Sequence, residues 1–126
     1  MRNTFSKEEK LKSRKQIALL FEKGDSIKQF PIRIKYLKLS DEGIPPKIAF
    51  SVPKRNFKLA VDRIRMKRLL RESYRKNKET LYYGLSGEYI LMILFTDKKE
   101  WKQHDLDDKL STGLQKLKDR LEADEK

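Results

Sequence analysis

Between Pro53 and Lys78 the chain sets 11 basic side chains against two acids, Asp62 and Glu72, a net charge of +9 within 26 residues. Wound as a helix at about 100° per residue, the stretch from Asn56 to Asn77 splits into two arcs. Met66, Leu69, Leu70, Ser73 and Tyr74 fall on one side. Arg63, Lys67, Arg68, Arg71 and Arg75 fall on the other, with Arg65 at its edge and Ile64 in its middle. Such a helix buries one side and offers the other to solvent or to an anion. A solvated amphipathic helix usually interleaves acids at i,i+4 positions, and this arc has none. Arg63, Lys67, Arg71 and Arg75 follow at successive i+4 steps, each like-charge pair costing a few tenths of a kcal/mol. An anionic partner offsets that repulsion, and the planar fork of Arg suits bidentate phosphate contacts.

The remaining composition narrows the class. The 126 residues carry a net charge of +12, so three-quarters of it comes from those 26 positions. With 40% charged and 37% hydrophobic residues, the chain is too apolar for a disordered basic tail and too charged for a membrane protein. Cysteine is absent, which excludes a disulfide scaffold, a thiol nucleophile and a cysteine-bound metal. The longest apolar run, Tyr89 to Phe95, is far short of the roughly 18 residues that span a bilayer. The start, Met1-Arg2-Asn3-Thr4-Phe5-Ser6, lacks the apolar stretch of a secretory signal. These features lead us to expect one small, intracellular, very basic domain over residues 1–126, with a basic extended arm at 1–12 and a charged tail at 122–126, nucleic acid as its default partner and no membrane partner.

Ser13 followed by Gln16 forms a capping box for a helix from about Arg14 to Lys23, with Gly24 as its left-handed cap. From Ile27 to Leu39 apolar and polar residues alternate, putting Phe30, Ile32, Ile34 and Tyr36 on one face and Arg33 and Lys35 on the other. After a turn at Asp41–Pro46, Lys47 to Val52 reads as a second strand, a hairpin partner of the first, ended by Pro53. Tyr82 to Gly87 is a connection, and Tyr89 to Phe95 a strand buried on both faces. The last helix lines up Leu106, Leu110, Leu114, Leu117 and Leu121 despite Gly113. The order is that of an α+β domain, with a strand–helix–strand crossover available between Lys47 and Phe95.

No set of side chains for independent catalysis emerges. His104 is the one histidine, beside Asp105 at a helix start, and there is no glycine-rich phosphate loop, metal-ligand spacing or Ser-His-Asp set. Phe21 and Tyr36, with Ile17, are candidates to line a groove on which unpaired bases stack, beside the basic strand face at Arg33 and Lys35.

At Arg63-Ile64-Arg65-Met66-Lys67-Arg68-Leu69-Leu70-Arg71-Glu72 the sequence resembles the protein subunit of bacterial ribonuclease P, which carries an Arg-Asn-Arg-x-Lys-Arg-x-x-Arg-Glu signature on a helix. The similarity extends through Ala60-Val61, through Phe50-Ser51-Val52-Pro53-Lys54-Arg55, and to the pattern Ile17-x-x-x-Phe21-x-x-Gly24-x-Ser26. Ile64 replaces the family's central Asn, and the loop from Lys54 to Ala60 is one residue longer and lacks the family's Gly. The resemblance implies a two-layer α/β sandwich in the order αβββαβα. Its sheet is mixed, with a left-handed crossover, as in a domain of a small-subunit ribosomal protein. It also implies an endonuclease that removes the 5′ leader of precursor tRNA, with hydrolysis done by an RNA subunit using Mg²⁺. On that basis Lys54, Arg55, Arg63, Arg65, Lys67, Arg68, Arg71 and Arg75 would meet the catalytic RNA. Ile17, Phe21 and Lys35 would meet the leader, and Tyr36 joins them on our own reading. No DNA partner is implied. A structural protein bound to ribosomal RNA fits the cationic helix equally well, and a protein-only nuclease is the third alternative.

Overall fold

Tyr89 to Phe95, apolar on both faces, is the stretch around which the sheet is built. The computed structural model describes residues 9–82 and 85–124. In chain order it contains α1 (Arg14–Lys23), β1 (Asp25–Gln29), β2 (Ile32–Ser40), β3 (Lys47–Ser51), α2 (Ala60–Asn77), the single turn α3 (Glu79–Tyr82), β4 (Glu88–Phe95) and α4 (Gln103–Asp124). The strands lie in the order β1-β2-β4-β3. The β1/β2 and β2/β4 pairs are antiparallel and β3/β4 is parallel, so β3, α2 and β4 form the expected crossover in a mixed α+β sheet. The order αβββαβα holds, with α3 as an added turn.

Alternation along β4 sorts the two faces of the sheet. Tyr89, Leu91, Ile93 and Phe95 join Ile32, Ile34 and Tyr36 of β2 in the main core. Met66, Leu70 and Tyr74 of α2 and the leucine stripe of α4 close that core from above. Each such leucine removed from water contributes on the order of 2 kcal/mol. Gly113 lets α4 sit close to the sheet, since a Cβ there would stand 3.3 Å from Ile34 Cδ1. Ile90 and Met92 face the other way, where Leu20 and Leu11 cover them, with Ile17 and Leu37 at the margin. Two long helices thus form the second layer on one face, while α1 covers only part of the other.

Several local expectations give way. The predicted strand Ile27–Leu39 is two strands, because Pro31 has no N–H to keep in a ladder, and the chain reverses at Phe30-Pro31. The predicted hairpin between this region and Lys47–Val52 does not form. β4 lies between β2 and β3, because a strand apolar on both faces gains most where both edges and both faces are covered. The second helix begins at Ala60 rather than Asn56, after a turn in which the Asn56 and Phe57 amides donate to the Pro53 carbonyl. Gly24 is not left-handed; its φ is −73°. It is there for space, because a Cβ would collide with the Leu20 carbonyl oxygen and approach Leu20 Cδ1 to 2.9 Å. The proposed tail at 122–126 is helical as far as Asp124, and its last two residues, like residues 1–8 of the N-terminal arm and 83–84 of the connection, lie outside the described residues.

Candidate nucleic-acid interface

The eight cations predicted to meet RNA separate into three groups. Arg63 donates from Nη1 to the carbonyls of Phe57 at 2.7 Å and Lys58 at 3.0 Å, so its guanidinium fastens the turn that precedes α2. That contact matters because Leu59, at the cap position, supplies no side-chain cap of its own. Arg65 and Arg75 are paired. Arg65 meets Asp62 at 2.7 Å and Glu100 at 3.2 Å. Arg75 donates from Nε to Glu72 at 3.1 Å and makes a second contact from Nη2. These hydrogen bonds hold the Glu72 carboxyl below the ordinary carboxylate range and push Arg75 up. Lys54, Arg55, Lys67, Arg68 and Arg71 are exposed, and none has an ion-pair or side-chain hydrogen-bond partner among the described residues. Five unneutralised cations therefore stand on one helix and the turn before it.

On the sheet face that α1 only partly covers, Phe21 is 48% exposed and Lys35 of β2 holds its Nζ 4.8 Å from the centre of the Phe21 ring. The contact is a cation–π pair, and the aromatic ring and the cation stand together on this partly covered face. Ile17, one helical turn earlier, is half-buried and packs against the small second core beneath. Tyr36 does not join this group. It is 5% exposed and belongs to the main core on the other side of the sheet. The period-two alternation that puts Lys35 beside α1 forces its neighbour to the opposite face.

Among the described residues, no three Asp, Glu or His side chains converge in an arrangement that could hold a metal ion. His104 sits in the open on α4, 3.8 Å from Asp108. No described helix is long and apolar enough to cross a membrane.

The sequence model of a family described as Ribonuclease P matches residues 5–118. This chain belongs to the ribonuclease P protein family. A ribonuclease P protein component of Porphyromonas gingivalis is 39% identical over 77 residues, which cover 60% of this chain and 56% of that protein. One of Pseudomonas aeruginosa is 36% identical over 78 residues, covering 61% and 56%. The match therefore spans a little over half the length of these relatives. In fold, the ribonuclease P protein of Thermotoga maritima superposes with a TM-score of 0.69 at 21% identity, over 86% of this chain and 96% of that one. The protein from Staphylococcus aureus gives 0.70 at 17%, over 86% and 94%.

Against the ribonuclease P signature, Ile64 is the departure the structure makes visible. It stands in the cationic arc of α2 with 54% of its surface exposed. Two cations outside the predicted set also lie close to that arc. Lys10 and Lys12 flank Leu11, which pairs with the edge of β3, and both are exposed. The signal was available as a Lys-Leu-Lys alternation, but three residues are too few to distinguish a strand from a basic arm.

Proposed function

We propose that this chain is the protein subunit of the ribonuclease P ribonucleoprotein, and that it supports endonucleolytic removal of the 5′ leader from precursor tRNA. The catalytic RNA lies against Lys54, Arg55, Lys67, Arg68 and Arg71, with Arg63, Arg65 and Arg75 shaping that surface through their contacts with protein oxygens. The single-stranded leader lies against Ile17, Phe21 and Lys35. The observation that carries this reading is the pairing of two sites on one small sheet: unneutralised cations on α2, and an exposed aromatic–lysine pair beside α1. The protein acts by lowering phosphate repulsion and fixing the leader. The Mg²⁺ of the reaction sits among the phosphates of the RNA partner, which performs the hydrolysis. The complex works in the cytoplasm.

Reconstitution tests the proposal. Mixed with its candidate RNA subunit at low Mg²⁺, the protein should accelerate cleavage of precursor tRNA at the 5′ end of the mature sequence. No acceleration would refute it. Phe21→Ala should leave thermal unfolding unchanged, because the ring is half-exposed, and weaken a leader oligonucleotide by roughly fivefold or more, the loss of one base stack. Unchanged leader affinity in that variant would favour a structural role on ribosomal RNA, for which the cationic helix alone suffices.

A further inference from the structure

The edge of β3 that faces away from β4 is met by residues 9–12. Lys10 bridges Ile48 in parallel, and the Leu11 amide donates to the Ile48 carbonyl at 2.9 Å. Leu11 turns inward onto the second core, so Lys10 and Lys12 on either side of it turn outward. A buried ion pair anchors the start of the segment: Lys78 Nζ lies 3.0 and 3.2 Å from the two Glu9 carboxylate oxygens, with Lys78 2% and Glu9 7% exposed. Breaking such a pair from one side leaves a buried charge, so the segment is a fixed wall rather than a loose arm.

Between that wall and α2 runs a groove of about 360 Å³. Lys10 and Lys12 stand on one side, Lys67 and Arg71 on the other, and Phe50 and Ile64 supply apolar surface. No acid lines it. None of the four cations has a side-chain partner among the described residues. The Phe50 ring is itself held, edge-on to Tyr74 at 6.0 Å.

We propose that this groove seats an unpaired nucleotide of a single-stranded RNA segment, its base against Ile64 and Phe50 and its flanking phosphates between the two cationic walls. The inference rests on the RNA-binding reading above and adds the kind of RNA feature recognised. A duplex satisfies the cations alone, because its bases are stacked and paired and its deep major groove is closed to side chains. A single strand presents a base face and phosphates together, which is what an apolar floor between two positive walls matches. Ile64 thereby acquires a role that its place in a cationic arc otherwise lacks.

The test uses the full chain with two probes carrying equal numbers of phosphates, a short oligouridylate and a blunt RNA duplex, titrated by fluorescence anisotropy across a salt series. Lys10→Ala combined with Lys12→Ala should weaken the oligouridylate roughly threefold or more and make its log–log salt slope shallower by about 1.4, the share of two cations on a single strand. Ile64→Asn, at a half-exposed position, should weaken the oligouridylate about fivefold, a fraction of an isoleucine's burial, and leave duplex affinity unchanged. Melting curves of the variants should superimpose on the wild type. Equal losses for both probes in Ile64→Asn would overturn the base seat, and unchanged oligouridylate binding in all these variants would overturn the groove. In that last case activation of the catalytic RNA by the wild type would still stand, whereas failed activation would remove the subunit reading whatever the groove does.

Discussion

Arg68 and Arg75 carry the same group on the same helix, yet only Arg75 is neutralised, and the difference lies in where the acids fall. Asp62 and Glu72 each precede an arginine by three residues, and each ion-pairs with that arginine, Arg65 and Arg75. Glu72 also stands four residues after Arg68, within reach on a helix surface, but its oxygens are taken by two donors of Arg75. Lys67 and Arg71 have no acid three or four residues away. Arg68 is therefore left open by competition and the other two by spacing. Arg68→Ala should weaken binding of the catalytic RNA while thermal unfolding stays where it was, since an exposed, unpaired side chain contributes little to folding. The log–log salt slope should become shallower by about 0.9, the share of one phosphate contact. Unchanged affinity would show that Arg68 faces no phosphate.

At the scale of elements, α2 is held to α4 by a polar junction as well as by leucines. The Asp107 carboxylate accepts from Ser73 Oγ at 2.5 Å, from Gln103 Nε2 at 2.9 Å and from Lys76 Nζ at 3.1 Å. Burial pushes its pKa up, but these three donors outweigh that and hold the carboxyl below its ordinary value. A carboxyl depressed in the folded state stabilises it above about pH 4, and the contribution is lost as pH falls through the depressed value. Ser73→Ala removes one donor from a buried position and should cost about 1 kcal/mol, lowering Tm by about 3–5 °C. Acid unfolding followed by circular dichroism should begin at higher pH in that variant; an unchanged acid midpoint would show that the junction does not set acid stability. Serine in the apolar arc was legible as buried, but its partner 34 residues away was not, because spacing along a helix says nothing of what packs across it. The leucines of α4, the two arcs of α2 and the doubly buried β4 were readable for the converse reason: each is a local pattern whose period fixes its own face. Strand order depends on pairings between distant segments, so the hairpin expected between β2 and β3 gives way, whereas the place of Tyr36 in the main core follows from the alternation of its own strand.

Across the whole molecule, positive and negative charge are kept on different elements of the layer that covers the sheet. The leucine-rich α4 and the apolar arc of α2 close the main core, and the acids of the last 30 residues sit largely on α4, where the net charge is slightly negative. The positive charge is concentrated on the outer arc of α2, the turn before it and the segment at the β3 edge. A polarised surface of this kind steers a polyanion and orients it, whereas the same total charge spread evenly would attract without aligning. Of the eight cations expected at the interface, five are free to release counterions when phosphates replace them, and Arg65 and Arg75 are already matched by carboxylates. Affinity for the catalytic RNA should therefore fall by roughly 10²- to 10³-fold between about 50 and about 200 mM salt. Were all eight engaged, the fall would approach roughly 10⁴-fold, so the slope itself counts the contacts. A slope corresponding to one or two phosphates would mean that the RNA lies elsewhere, and that the open cations of α2 face nothing but solvent.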